Sequence, residues 1–192
     1  MRQGLIAAFV ALAAATTASA APAPTALQHW TAFQGARPAA GVHVDQRGSG
    51  VCTEASGADP RADAWRCLDG TQVVDPCFSS AAAFVLCPFG TPDSRDALEL
   101  RLTRPLPATR AAGVVPATRG NPWVIVTTGG AYCYRAPSPE PTEAGRRVTY
   151  VCAGSAFLAG SPNRAHRVWT IGLIPNAAAK RYAAASIAEA WW

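Results

Sequence analysis

Four of the chain's six cysteines lie in residues 52–89, C-T-E-A-S-G-A-D-P-R-A-D-A-W-R-C-L-D-G-T-Q-V-V-D-P-C-F-S-S-A-A-A-F-V-L-C-P-F. Between them stand Trp65, Phe78, Phe84, Val85 and Leu86, together with Asp59, Asp63, Asp69 and Asp75. Asp59-Pro60 and Asp69-Gly70 are turn dipeptides, because Pro presets one turn dihedral and Gly supplies positive φ. The stretch reads as apolar and aromatic side chains cross-linked over tight turns. That pattern constrains the fold more than any other part of the chain, and it says how the domain is held together rather than what it does.

The cysteines acquire their meaning from the first twenty residues. Arg2, the apolar run over residues 5–15 and Ala18-Ser19-Ala20 are read as a secretory signal, residues 1–20. The apolar run is shorter than the roughly 20 residues a membrane span needs, and no cysteine sits near the cleavage site to make a lipobox. The expected product is secreted or periplasmic, without a membrane span. In such an oxidising compartment an even cysteine count reads as disulfides. Cys52, Cys67, Cys77, Cys87, Cys133 and Cys152 can pair in many ways, and sequence does not decide among them. Nearest-neighbour closure (Cys52–Cys67, Cys77–Cys87, Cys133–Cys152) is the expectation, each bridge contributing roughly 3 kcal/mol in the chain-entropy picture. The metal reading fails on spacing: no CxxC pair exists, and His29, His43 and His166 are dispersed.

The formal charge is +5, and Arg2 is the only charged residue of the signal, which leaves +4. Lys180 is the only lysine among 17 basic residues. The arginines are scattered, without the aromatic-interleaved runs of a nucleic-acid surface, so no nucleic-acid partner is expected.

Along the chain, residues 21–50 read as an irregular N-terminal segment, with one short helix over 25–33 capped by Thr25 and a short strand at 42–44. Residues 64–68, 71–74 and 81–86 read as extended segments. Residues 98–103 alternate Leu98, Leu100 and Leu102 with Glu99, Arg101 and Thr103, the period of a half-buried strand. Residues 108–121 are a Gly- and Pro-punctuated connection. Residues 123–127 and 131–135 form a β-hairpin about Gly129-Gly130. The stretch A-P-S-P-E-P-T-E-A-G, 136–145, is an exposed loop. Residues 147–153 read as a strand, 154–163 as a loop, and 167–174 as a central strand, apolar on both faces. The alanine-rich end after Asn176 favours a short helix, with a terminal strand ending in Trp191-Trp192 as the alternative.

The motif W-R-C-x9-C-F (Trp65, Arg66, Cys67, Cys77, Phe78), with Asp75-Pro76 before the second cysteine, resembles an uncharacterised group of exported proteins and modules of GC-rich bacteria. Their signature is PRxDAWRC…DPCF…CP, matched here by residues 60–67, 75–78 and 87–88. Further likenesses are the Leu-x-Leu strand before Pro105-Leu106-Pro107, Pro122-Trp123, Cys133, Cys152 and Val168-Trp169-Thr170. An aromatic often follows the first cysteine in that group, where this chain has Thr53. The resemblance covers most of residues 52–192. It implies export and a shared disulfide scaffold, and carries no catalytic residue.

Tests for chemistry return little. There is no G-x-S-x-G around any serine, and an even set of paired cysteines leaves no thiol nucleophile. Asp59, Asp69 and Asp75 each precede Pro or Gly, where a short carboxylate caps a turn; as a glycosidase pair they lack motif spacing. No calcium-loop pattern is present, and neither metal nor cofactor is expected. Trp191 and Trp192 are candidate stacking surfaces for a ligand, and Asp63 and Asp75 candidate polar contacts.

The sequence therefore leads to a mainly β protein: a small antiparallel sheet, or a sandwich- or barrel-like domain, stapled by three disulfides over 51–192 with a short C-terminal helix, α+β being the alternative architecture. The functional expectation is a monomeric, non-enzymatic exported protein with a structural or binding role and an unknown envelope or extracellular ligand. The alternative is a hydrolase of cell-wall material working through aspartates of the cysteine-rich stretch.

Overall fold

The computed structural model describes residues 21–80, 83–107, 120–137 and 139–192; residues 1–20, expected as a signal, and most of the connection expected over 108–121, lie outside them. The described residues form strands and turns, without a helix. In chain order the strands are β1 (Ala26–Gln28), β2 (Phe33–Gln34), β3 (Arg37–Pro38), β4 (His43–Ala55), β5 (Ala64–Asp69), β6 (Gln72–Ser79), β7 (Phe84–Pro88) and β8 (Asp96–Leu102). Then follow β9 (Val124–Thr127), β10 (Tyr132–Arg135), β11 (Thr142–Glu143), β12 (Arg146–Cys152), β13 (Phe157–Asn163), β14 (Thr170–Ile174) and β15 (Ala183–Trp191).

Two rings of strands result. The first is a closed barrel, β4-β5-β6-β7-β8, antiparallel throughout except where β8 returns parallel to β4. Closure happens on β4, whose first part pairs β8 and whose last part pairs β5, both partners meeting at Gly50. A Cβ at Gly50 would lie 2.0 Å from the Leu68 carbonyl oxygen, and one at Gly48 2.9 Å from an Asp69 carboxylate oxygen. At Gly50 only glycine lets the strand pass so close to its neighbour's backbone; at Gly48 the obstacle is a carboxylate side chain. This is why residues 43–50, expected as a loop with a short strand at 42–44, instead form the start of a long strand. The second ring runs β9-β10-β12-β13-β14-β15 and closes because the far half of β15 pairs back to β9. β11 hangs on β12, and β1 lies parallel to β15 on the edge left free beyond β14.

The mainly β, barrel-like, three-disulfide architecture matches the sequence reading; its helices do not. The C-terminal residues form β15, because the backbone groups of 183–186 pair with β14 and those of 187–191 with β9. Sheet closure overrides the weak preference of alanine for helix. Asn176 does cap, but only a turn: its side-chain oxygen accepts the Ala178 N–H at 3.1 Å. Residues 25–33 likewise hold a strand, not a helix. Thr25 caps nothing; its hydroxyl donates to the Ile187 carbonyl at 2.7 Å and accepts the Trp169 N–H at 2.8 Å. Residues 157–163, expected as loop, form β13, which carries Gly160 at φ 81 inside an irregular register against β12 and β14. The hairpin about Gly129-Gly130 forms as expected, with Gly130 and not Gly129 supplying the positive φ, at 80.

The bridges join Cys52–Cys67, Cys77–Cys87 and Cys133–Cys152, each between neighbouring antiparallel strands with Cα atoms 3.9, 4.0 and 3.9 Å apart. Their sulfurs point inward. The interior of the first barrel is Cys52, Cys67, Cys77 and Cys87 with Trp65, Val85, Leu98 and Leu100. That of the second is Cys133 and Cys152 with Ile125, Tyr150, Leu158, Ile171 and Ile187. A third apolar layer lies between the barrels: Phe78, Leu86 and Ala97 from the first, Val124, Val126, Trp123 and Trp191 from the second, and Trp30 from the N-terminal segment. Trp30 stacks on Phe78 with ring centroids 5.4 Å apart.

Two predictions follow from closure. Gly50→Ala should cost several kcal/mol or abolish folding, since backbone must move, whereas Gly57→Ala, whose Cβ finds only Asp75 at 3.6 Å, should shift the thermal midpoint by no more than a few degrees. Replacing Cys133 and Cys152 together by alanine should remove about 3 kcal/mol, read by guanidinium denaturation against the oxidised parent.

Candidate functional site

A cavity opens where the two barrels face each other beside the apolar layer, with a volume of about 600 Å³, within the range of small-molecule sites. Gly57, Ala58, Arg66, Val73 and Asp75 line one wall; Arg135, Ala136, Pro137, Pro139, Glu140 and Arg147 line the other. A smaller recess, about 160 Å³, continues past Ser56, Pro60 and Asn121.

Each charged group is placed by a strand or its flanking turn. Arg66 projects from β5, Asp75 from β6, Arg135 from the end of β10 and Arg147 from β12. Arg66 reaches Glu54 on the paired strand at 3.5 Å. Glu140 sits on the proline-rich loop between β10 and β11, where one carboxylate oxygen lies 3.6 Å from Arg135 Nη2 and the other 3.9 Å from Arg147 Nε. Arg135 is only 21% exposed, and its guanidinium lies 5.8 Å from the Tyr150 ring. Tyr150 is fixed in turn, its hydroxyl donating to the Pro122 carbonyl at 2.9 Å, while burial pushes its phenol up to about 12. Three guanidiniums and two carboxylates thus share the cleft, a net charge of +1 if all are ionised.

Asp75 is partly buried and fully engaged. Its Oδ1 accepts from the Ser56 hydroxyl and its Oδ2 from the Gly57 N–H at 3.1 Å. The Ser56 oxygen meanwhile accepts the Ala58 and Asp59 N–H groups at 3.1 and 2.8 Å. Burial raises the Asp75 carboxyl above its ordinary value, and the bonds from Ser56 and Gly57 lower it in part.

Of the other sequence candidates, Asp63 is exposed and contributes through its backbone carbonyl, which accepts the Ser79 N–H at 2.9 Å. Trp191 is buried in the layer between the barrels, its indole N–H donating to Glu189 at 3.0 Å. Trp192 is 2% exposed and meets Trp169 edge-on at 6.1 Å. Asp75 alone of these four lines the cleft. Asp59, 1% exposed, caps its own turn by accepting the Arg61 N–H at 2.9 Å and pairs with the Arg61 side chain at 3.1 Å. Arg61 in turn donates to the Trp30 carbonyl at 3.1 Å and lies 3.9 Å over the Phe78 ring. Burial raises the Asp59 carboxyl, with Arg61 opposing. Asp59 therefore caps its own Asp-Pro turn as expected, whereas Asp75-Pro76 lies within β6 and Asp75 instead holds the distant turn at Ser56 and Gly57.

Sequence reasoning missed Arg66, Arg135, Glu140 and Arg147. The one local signal was the Glu140 carboxylate on a proline-rich loop flanked by Arg135 and Arg146-Arg147. Among the described residues no group of three or more His, Cys, Asp or Glu side chains could hold a metal ion, and no helix is long and apolar enough to cross a membrane.

The chain matches no protein-family model, no curated protein and no solved structure. What the site can do must be argued from its own groups.

Because the folded Asp75 holds its proton more tightly than an unfolded aspartate near 3.8, its contribution to stability is complete below that pH and declines as pH rises through the raised folded value. The stability difference between the parent and Asp75→Asn should accordingly shift against the parent as pH rises above about 4. Urea denaturation at a series of pH values reads this; a difference independent of pH would show that Asp75 titrates normally.

Proposed function

We propose that this chain is a non-enzymatic exported binding protein of the cell envelope or extracellular space, acting as a monomer, with the cleft between the barrels as its ligand site. The observation that carries this reading is the construction of the cleft: two disulfide-stapled barrels, locked by an aromatic layer, hold arginines and carboxylates around a cavity of small-molecule size. Rigid walls lower the ordering cost of binding, and a few placed polar groups against an apolar lining provide orientation. Three disulfides belong with an oxidising compartment. The chain's place among the exported proteins of GC-rich bacteria that it resembles, and its signal over residues 1–20, are part of the same proposal.

One observation favours the hydrolase alternative: Asp75 lines the cleft with its carboxyl raised, the state expected of a general acid. Against it, both Asp75 oxygens are held by Ser56 and Gly57 in a turn, and Glu140 opposite is neutralised by two arginines.

Val73 stands at the mouth of the cleft, 47% exposed, so Val73→Trp should block entry with little effect on stability. The oxidised parent is expected to be retained on isolated envelope material or on a glycan array, and Val73→Trp to lose that retention. Equal retention of the two would overturn the cleft as the site. Release of soluble fragments from envelope polymer by the parent, abolished in Asp75→Asn, would establish the hydrolase instead.

A further inference from the structure

Glu140 occupies the cleft as a ligand would. Its two carboxylate oxygens are divided between guanidiniums carried by different strands, Arg135 on β10 and Arg147 on β12, at 3.6 and 3.9 Å. Both distances exceed a hydrogen-bonded ion pair, whose N–H···O contacts fall near 2.7–2.9 Å. The two arginines are not equally free. Arg135 is mostly buried and set against Tyr150, while the Arg147 side chain is 81% exposed. One is a preformed contact in the cleft wall and the other a solvated arm at its rim. The carboxylate that joins them comes from a loop whose prolines, Pro137 and Pro139, form the neighbouring lining. Across the cavity stand Asp75, accepting hydrogen bonds from Ser56 and Gly57 in the turn after β4, and the apolar Val73 and Ala58.

We infer that the Arg135–Arg147 pair is a recognition site for a carboxylate group of a small ligand, which Glu140 fills in the free protein and which the ligand takes over by exchange. The inference rests on the cleft being the ligand site and specifies the chemistry of what enters it. Guanidinium forks match the planar two-oxygen carboxylate. The exchange is balanced in charge: one carboxylate leaves the two arginines and another replaces it, so no buried cation is left unpaired. Glu140 then passes to solvent on its loop. An internal competitor of this kind lowers apparent affinity for every carboxylate, and favours ligands whose remaining body gains contact with the Val73, Ala58 and Ala136 lining.

The test removes the competitor. Glu140→Gln keeps the loop and its size but leaves Arg135 and Arg147 without their internal anion. Succinate should bind this variant about tenfold more tightly than the parent, the scale of one charge-assisted hydrogen bond, by calorimetry on the oxidised full chain at low salt. Succinamide, its neutral analogue, should bind neither form measurably more tightly. Adding Arg147→Gln to Glu140→Gln should return succinate affinity to the parent level. Arg147 is exposed enough that its loss leaves the fold intact, so this arm survives even where Arg135→Gln fails to fold. Equal succinate affinity in the parent and Glu140→Gln would overturn the inference, as would inorganic phosphate binding the variant more tightly than succinate. Either result leaves the Val73→Trp retention experiment unaffected, so failure of the carboxylate assignment is distinguishable from failure of the cleft as a site.

Discussion

The structure depends on cross-strand sulfur bridges buried inside closed β-rings. A barrel of five or six strands encloses little space; two cystines fill much of the first, and one cystine packs among isoleucines and a leucine in the second. Cys52 faces Cys67 and Cys133 faces Cys152 directly across their ladders, so each bridge also fixes strand register. Slipping a strand by one residue would turn its cysteine out of the barrel. Covalent constraint and hydrophobic burial therefore select the same arrangement, which is how the chain settles on one strand order.

Closure in turn determines how the barrels meet. Each ring takes one large aromatic inside, Trp65 in the first and Tyr150 in the second, while Trp30, Phe78, Trp123 and Trp191 pack in the layer between the rings. Polar ties border this layer: Arg61 reaches the Trp30 carbonyl, Tyr132 donates to Asp93 at 3.1 Å and Tyr134 to the Gly90 carbonyl at 2.9 Å. The Tyr132–Asp93 bond lowers the Asp93 carboxyl, with a Thr91 side-chain bond as the larger cause. Both tyrosines lie on β10, the strand that ends in Arg135. The elements that lock the barrels together thus also aim a cleft arginine.

Much of this was legible from local pattern. Leu98 and Leu100 alternate into the first barrel, the Gly129-Gly130 turn reads as a hairpin, and the cysteines, once export is granted, read as staples. The failures share a cause. Gly48 and Gly50 look like loop residues until one sees that the Asp69 side chain and the Leu68 backbone take the space their side chains would need. The alanines of β15 look helical until β14 and β9 claim their backbone groups. In each case a partner distant in sequence decides, and single-sequence periodicity holds no record of that partner. The cleft was illegible for the same reason: Arg66 and Asp75 belong to one barrel, Arg135, Glu140 and Arg147 to the other.

The charge arrangement around the cleft separates structural carboxylates from exchangeable ones. Asp59 and Asp75 are short side chains fixed within their own turns or the turn beside them, and burial raises both, so holding them charged works against the fold. Their environments are satisfied by backbone N–H groups that a ligand could not replace without unmaking the turn. Glu140 is held differently. It is longer, stands on a loop, and among the described residues pairs with two guanidiniums at distances too long for strong hydrogen bonds. An ion pair of that kind contributes little to stability, so giving it up costs the fold little. Among the carboxylates lining the cleft, it is the one whose contacts a ligand can inherit.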